Sequence, residues 1–188
     1  MKLDIFQNEN LVFFDGAMGT MIHAAGLKSG ELPEVFNITH PGVIESIHRA
    51  YLEAGADVTT TNTFGANRLK LSPIGYTPEQ MVEAAVTIAR KAAGDRPVAL
   101  DIGPLGQLMA PMGTLSFQEA YDLFSPQMKA GQEAKADFVL IETMSDLYEA
   151  KAAVLAAREN TRLPVVCTLT FQKNGRTLMG NDPVTVVT

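Results

Sequence analysis

Five short apolar or β-branched runs, each ending in a polar residue or a glycine, constrain the fold of this sequence more than any other feature. The runs cover residues 11–15, 57–63, 98–101, 138–143 and 165–170. Between them, apolar residues recur at helical spacing. Strands that alternate with helices in this way form a parallel sheet, and their apolar character on both faces is typical of a sheet buried on two sides.

The spacing of these strands favours a closed barrel over an open, doubly wound sheet. The strands begin about 40 residues apart, so eight such units would need roughly 300 residues, a usual size for a (β/α)8 barrel. A doubly wound sheet should carry G-x-G-x-x-G after its first strand, and the DGAMGT run at 15–20 does not fit that pattern.

We therefore predict an α/β protein of the (β/α)8 TIM barrel type. The 188 residues would form the N-terminal part of one barrel domain over 1–188, truncated before the last strands. About five parallel strands and four to five helices are expected. We expect the open edges of such a partial barrel to favour self-association.

Charge and hydropathy exclude several kinds of partner. Lysine and arginine total 15 against 21 acidic residues, a net charge of −6 that offers no basic surface to nucleic acid or to an anionic membrane. No apolar run approaches the ~18 to 20 residues of a membrane span, and residues 1–10 lack the apolar core of a signal peptide. We expect a cytoplasmic protein.

Metal ligands are scarce in this sequence. Cys167 is the single cysteine, so neither an internal disulfide nor a multi-cysteine metal site is expected, and its apolar neighbours predict that it is buried as a small hydrophobe. The histidines at 23, 40 and 48 form neither H-x-H nor H-E-x-x-H. We place His48 on the solvent side of its helix and predict no metal site in the chain.

Polar residues end four of the five predicted strands: Asp15, Asn62, Asp101 and Glu142. In a barrel, this end of the strands is the active-site face. Aspartate and asparagine are also good turn formers, which is the competing interpretation for the first three. Glutamate is not, and Glu142 follows an apolar run directly, so its carboxylate needs a partner.

A weak internal repeat links two of these residues. The EAGAD run at 53–57 and the EAKAD run at 133–137 each close a helix and open a strand, 80 residues apart. Asn62 and Glu142 then stand at the same offset, five residues after the aspartate. Alternate strands of a barrel contribute to common layers, so we expect both side chains to point into one space.

Five collinear motifs together resemble the homocysteine S-methyltransferase family, and within it the cobalamin-dependent branch. They are DGAMGT at 15–20 with EVFN at 34–37, AGADVTTTNTFGAN at 54–67, DIGPLG at 101–106, DFVLIETMSDLYEAKAA at 137–153 and GRTLMGNDP at 175–183. The resemblance implies a barrel that binds L-homocysteine and presents its sulfur to a methyl donor, with methionine as the product.

The resemblance also implies which residues bind the substrate. Asp15 of the DG motif and Glu142 of the ET motif would hold the ammonium group, and the backbone N–H groups of Ala17 and Met18 would hold the carboxylate. Gly16 is also expected among the substrate-binding residues. Asn62 and Thr63 would form the wall beside the substrate. No catalytic residue is expected within the chain.

Cofactors and donors follow from the resemblance as well. The family holds zinc through three cysteines of later strands, so the zinc ligands are expected beyond residue 188 and Cys167 is not one of them. Downstream modules would bring cobalamin and methyltetrahydrofolate. The alternative donors are S-methylmethionine and betaine, which need no cobalamin, and the isolated chain would be a non-catalytic fragment.

Overall fold

The structure is a computed structural model that describes residues 11–188; residues 1–10, which carry the expectation about a signal peptide, lie outside the described residues. The elements in chain order are α1 (Met18–Ala24), a 3-10 turn (Pro33–Val35), α2 (Phe36–Thr39), α3 (Pro41–Glu53), β1 (Thr59–Thr60), α4 (Arg68–Leu71), a 3-10 turn (Ser72–Ile74), α5 (Pro78–Ala93), β2 (Val98–Ile102), α6 (Phe117–Glu133), β3 (Phe138–Met144), α7 (Leu147–Asn160), β4 (Val165–Leu169) and α8 (Pro183–Val187).

The four strands form one parallel sheet in the order β1-β2-β3-β4. Each strand therefore pairs with the next strand along the chain. Between two strands, a helix returns the chain to the end of the sheet at which the strands begin. A doubly wound sheet reverses its strand order partway, whereas a barrel does not. The observed order confirms the α/β class and fits a part of a (β/α)8 barrel.

The first of the five predicted strands is reduced to a single bridge. Phe14 forms an isolated parallel bridge with Val58, and the backbone N–H of Asp15 donates to the Val58 carbonyl at 3.1 Å. The second predicted strand is likewise short, since β1 holds only Thr59–Thr60. Residues 11–15 thus continue the sheet beyond β1 without forming a full strand of their own.

The two faces of the sheet carry alternate residues of each strand. Leu100 and Ile141 belong to the main core cluster, which includes Phe124 of α6 and the alanines of α7. Ala99 and Leu140 belong to a smaller cluster on the opposite face, with Val58 and Phe138. Because side chains alternate along a strand, Asp101 and Glu142 continue this second, inner face.

The two units of the internal repeat form the same type of hydrogen bond. The Asp57 carboxylate accepts the backbone N–H of Phe13 at 2.9 Å, and the Asp137 carboxylate accepts that of Val98 at 2.8 Å. In both units the aspartate at the start of a strand is bonded to the segment that precedes it in the sheet. The turns before the two aspartates both use a positive φ, at Gly55 and Lys135.

Local side-chain contacts define the helix boundaries. Thr77 caps α5 with a capping box, and Pro78 is the first residue of that helix. Asp146 caps α7, and Glu149 of its first turn accepts the backbone N–H of Leu105 at 2.7 Å. Helix α6 continues through Pro126.

The outer edge of β4 has no strand partner within residues 11–188. Beside it lies an apolar cavity of about 630 Å³ between α7, β4 and α8, and half-buried Cys167 lines it. Cys167 is thus less buried than predicted, although it packs against the main core. Self-association through this edge stays a prediction. No helix of the described residues is long and apolar enough to cross a membrane.

We expect Asp146→Ala to lower the free energy of unfolding by about 1 kcal/mol, the usual contribution of an N-cap side chain. The Asp146 carboxylate accepts the backbone N–H groups of Tyr148 and Glu149, and alanine would leave both without that acceptor. Urea unfolding followed by circular dichroism measures the loss. Asp146→Asn is the matched control, since asparagine keeps the capping oxygen; equal midpoints for the alanine variant and the unaltered chain would contradict the assignment.

Candidate functional site

Carboxyl groups gather at the C-terminal ends of the strands. The Asp15 side chain is only 3% exposed, and its Oδ2 accepts the backbone N–H of Thr60 at 2.9 Å. Its Oδ1 is buried without a hydrogen-bond partner among the described residues. This oxygen therefore has an acceptor capacity that the described residues leave unsatisfied.

Glu142 lies on an irregular stretch of β3. Between Ile141 and Met144, β3 has one residue more than the facing stretch of β4, and Thr143 has a φ of +62°. A bulge of this kind redirects the neighbouring side chains, and strain at a β-branched residue is typical of functional sites. Burial raises the pKa of the half-buried Glu142 carboxyl, and the negative charge of Asp15 raises it further.

Asp101 is the last residue of β2 on the inner face of the sheet, and Glu142 lies on the same face of the neighbouring strand β3. Its side chain is buried, with the residue 6% exposed, and its Oδ1 has no hydrogen-bond partner among the described residues. The backbone is fixed by two threonines: its N–H donates to the Thr61 hydroxyl at 3.0 Å and its carbonyl accepts from the Thr63 hydroxyl at 2.7 Å. Burial and then the charges of other carboxylates raise its pKa well above the usual range.

The DG motif leads directly into α1. Ala17 is the N-cap residue and Met18 the first residue of the helix, and no side chain of the described residues caps it. A Cβ on Gly16 would lie 2.6 Å from the ring of Tyr51, whose hydroxyl is 3.4 Å from the Ala17 carbonyl oxygen. A larger residue at this position would therefore displace the tyrosine ring. The N–H groups of the first turn have no side-chain acceptor among residues 11–188.

Asn62 and its neighbours hold a loop in place beside this site. The Asn62 side-chain amide donates to the Pro33 carbonyl at 2.9 Å, and the Asn37 amide donates to the Asn62 carbonyl at 2.8 Å. Glu34 accepts the backbone N–H of Gly65 at 2.5 Å. Asn62 and Thr63 are both buried and bonded to protein, so their contact with a substrate stays a prediction, as does the shared space of Asn62 and Glu142.

The structure corrects the placement of His48. We predicted a solvent-facing side chain, but His48 is completely buried, with Nδ1 3.7 Å from Asp15 Oδ2. The signal was present in the sequence, because His48 stands four residues after Ile44 and four before Leu52, both on the buried face of α3. Sequence reasoning also missed Glu34, whose buried carboxylate fastens the loop around Gly65.

The chain does not offer a zinc site within its described residues. No group of three or more histidine, cysteine, aspartate or glutamate side chains there could hold a metal ion. Cys167 lies on β4 at the apolar cavity, and burial raises the pKa of its thiol, which opposes the thiolate form that zinc binds. The residues present therefore do not fit a structural or catalytic zinc.

The site is suited to a small ligand with a positive charge at one end. Asp15 and Glu142 lie within electrostatic reach of each other, and neither forms an ion pair with lysine or arginine within residues 11–188. A primary ammonium would relieve their mutual repulsion and gain charge-assisted hydrogen bonds. The backbone N–H groups of Ala17 and Met18, which have no acceptor among the described residues, suit the carboxylate of the same ligand.

Comparison with known proteins gives one family. The family model described as homocysteine S-methyltransferase matches residues 12–188. The chain is 32% identical over 200 residues to the methionine synthase of Mycobacterium tuberculosis and 32% identical over 188 residues to that of Mycobacterium leprae. These matches cover 96% and 89% of this chain but only 17% and 16% of the two relatives.

Solved structures give the fold. The homocysteine methyltransferase MmuM from Escherichia coli in its metallated form matches with a TM-score of 0.87 at 22% identity, over 100% of this chain and 73% of that one. Its apo form matches with a TM-score of 0.75, also at 22% identity, over 98% of this chain and 69% of that one. The architecture of the sheet and helices is therefore that of these enzymes.

We expect Glu142→Gln to stabilise the ligand-free chain at neutral pH. Because the folded-state pKa of Glu142 is raised, the folded state binds the proton more tightly than the unfolded state, so stability falls as the pH rises from about 4.5 through the raised value. Glutamine removes this loss. The thermal midpoint of the variant should exceed that of the unaltered chain at pH 7.5, and the gap should shrink toward pH 4.5.

The matched control is Glu83→Gln, on the exposed side of α5. It should leave the thermal midpoint unchanged at both pH values. A Glu142→Gln midpoint at or below that of the unaltered chain at pH 7.5 would contradict the buried, like-charged environment of Glu142.

Proposed function

The chain belongs to the homocysteine S-methyltransferase family, and on that basis we propose that it binds the amino-acid end of L-homocysteine at the carboxyl ends of its strands. The observation that supports this most directly is the Asp15 and Glu142 pair, two carboxyl groups drawn together without a lysine or arginine partner among the described residues. His48 lies beside Asp15 alone, with Nδ1 3.7 Å from Asp15 Oδ2. An ammonium group between Asp15 and Glu142 would provide a cation for both carboxyl groups.

The proposed binding mode uses residues on three elements. Asp15 and Glu142 accept hydrogen bonds from the ammonium group, and the backbone N–H groups of Ala17 and Met18 donate to the carboxylate, with Gly16 allowing the chain to pass close to the Tyr51 ring. These contacts orient the ligand and transfer no proton. Fixing both ends of the amino-acid group leaves the side chain, with its sulfur, a single direction in which to extend.

The overall reaction proposed for the parent protein is methyl transfer to the homocysteine sulfur, which gives methionine. The sulfur loses its proton and forms a bond to the methyl carbon as the bond from that carbon to the donor breaks. The described residues hold the substrate for this step but supply no group that activates the sulfur. We propose that zinc serves that purpose, held by ligands beyond residue 188.

We propose methylcobalamin and methyltetrahydrofolate as the sources of the methyl group, brought by further modules of a longer protein. The 32% identity to two methionine synthases, of which this chain spans only about a sixth, supports that arrangement. The alternative is a cobalamin-independent enzyme that uses S-methylmethionine or betaine. The likeness to MmuM at 22% identity concerns the fold and does not favour one donor.

We expect Glu142→Gln to weaken the binding of L-homocysteine by roughly 1 to 3 kcal/mol, because a charged hydrogen bond to the ammonium group is replaced by a neutral one. That corresponds to about a 5- to 150-fold higher Kd. Calorimetric titration with reduced L-homocysteine measures it, in this chain and in the longer parent protein. Glu83→Gln is the control, and an unchanged Kd for Glu142→Gln would remove Glu142 from the site.

We expect the purified chain to hold far less than one zinc ion per molecule after exposure to zinc and dialysis. Its single cysteine lies at an apolar cavity, and the described residues provide no cluster of ligands. Metal analysis by mass spectrometry gives the ratio. Stoichiometric zinc that survives dialysis, and that Cys167→Ser removes, would contradict the proposal that the sulfur is activated from outside this chain.

A further inference from the structure

His48 is a fully buried histidine to which the proposed binding mode assigns no role. Its side chain has no exposed surface, and neither ring nitrogen has a hydrogen-bond partner among the described residues. Burying an imidazole without hydrogen bonds lowers stability, so a native side chain in this state requires an explanation.

The packing of α3 fixes the position of His48. The buried face of this helix packs against α1 and α2 in one apolar cluster. Three residues after His48, the ring of Tyr51 lies against Gly16 of the DG motif. Helix α3 therefore meets the DG motif at two points, with Tyr51 at Gly16 and His48 at the preceding residue, Asp15.

The two oxygens of the Asp15 carboxylate have different surroundings. Oδ2 accepts the backbone N–H of Thr60 at 2.9 Å and lies 3.7 Å from His48 Nδ1, whereas Oδ1 is buried without a partner among the described residues. The second distance exceeds the ~3.2 Å of an N–H···O hydrogen bond. Contacts of this kind are often long in a ligand-free site and shorten when the ligand binds.

The neighbouring carboxylate indicates which ring nitrogen of His48 carries a proton. In the proposed binding mode Asp15 is ionised, and an ionised carboxylate only accepts hydrogen bonds. A bare Nδ1 would therefore set its lone pair against those of Oδ2. A proton on Nδ1 turns this repulsion into attraction, whether or not Nε2 carries a proton as well.

We propose that His48 is a positioning residue for Asp15: its Nδ1–H donates to Oδ2 and leaves Oδ1 as the oxygen that meets the substrate ammonium. The inference rests on the proposed function and extends it to a residue that does not touch the substrate. A carboxylate with one donor can rotate about its bond to Cβ and exchange its oxygens. Donors from both Thr60 and His48 on one oxygen restrict that rotation, so less ordering remains to be done when the ligand binds.

The donor can be tested without any ligand. Nitrogen-15 NMR of the histidine side chains, with the His48 signals assigned by their loss in His48→Asn, reports which ring nitrogen carries a proton. We expect a proton on Nδ1 of His48, and the exposed His23 provides the reference for an imidazole in water. A His48 ring that is protonated at Nε2 alone would overturn the inference whatever the chain binds.

The positioning role is tested by calorimetry with L-homocysteine. His48→Leu removes the donor and should raise the Kd by roughly 5- to 10-fold, whereas His48→Asn keeps an N–H near the position of Nδ1 and should change the Kd by no more than about twofold. Thermal melts accompany both titrations. His48→Leu should melt at or above the midpoint of the unaltered chain, because leucine replaces a buried ring that has no hydrogen bonds among the described residues.

Rescue by asparagine separates positioning from packing. Asparagine fills the space of the ring less well than leucine, so a purely structural role predicts that His48→Asn is the more damaged variant. Equal loss of affinity in both variants would overturn the positioning role, because the effect would then not depend on the donor. A lower thermal midpoint of His48→Leu, or its failure to fold, would assign His48 to the packing of the core instead.

The remaining outcomes separate the inference from the proposed function. Equal affinity of the folded His48→Leu variant and the unaltered chain would overturn the positioning role while leaving homocysteine binding intact. Failure of the unaltered chain to bind L-homocysteine would overturn the proposed function together with the positioning role, and the NMR measurement would still decide whether His48 is a donor to Asp15.

Discussion

The removal of several carboxyl groups from water at one edge of the sheet is the constraint around which the structure is organised. Asp15, Asp101 and Glu142 lie within electrostatic reach of one another, and no lysine or arginine of the described residues forms an ion pair with them. Such an arrangement lowers the stability of the ligand-free fold. The core between the outer face of the sheet and helices α5 to α7 offsets that cost.

In the proposed binding mode, the ammonium group of the ligand offsets this cost, because it neutralises the charges that destabilise the ligand-free fold. A pocket that paired its carboxylates with its own lysine or arginine would be more stable and would bind an ammonium ligand poorly. This conflict between stability and binding is common at functional sites. The bulge at Thr143 is a second feature that lowers stability beside the candidate site. Thr143 is β-branched and has a positive φ, which is a strained conformation, and it follows Glu142 directly.

Local sequence patterns predicted the parallel strands, most of the helices and the strand-end position of Asp15, Asp101 and Glu142. They failed where the outcome depends on contacts between distant segments. Nothing near Thr143 indicates a bulge, because the extra residue is defined only against β4. His48 was misplaced because polarity was given more weight than its spacing from the apolar residues of α3. Neighbouring residues likewise do not reveal that Asn62 would bond Pro33 and Asn37.

The aspartate that opens each repeat unit has a consequence for how such a chain is made. Asp57 and Asp137 each bond backward, to Phe13 and to Val98, in segments that leave the ribosome earlier. Each of these two aspartates therefore meets a partner segment that has already been synthesised. Domains fold as units from the N-terminal side during synthesis, and these two bonds let a parallel sheet, whose pairings span about 40 residues each, be assembled in the order of translation.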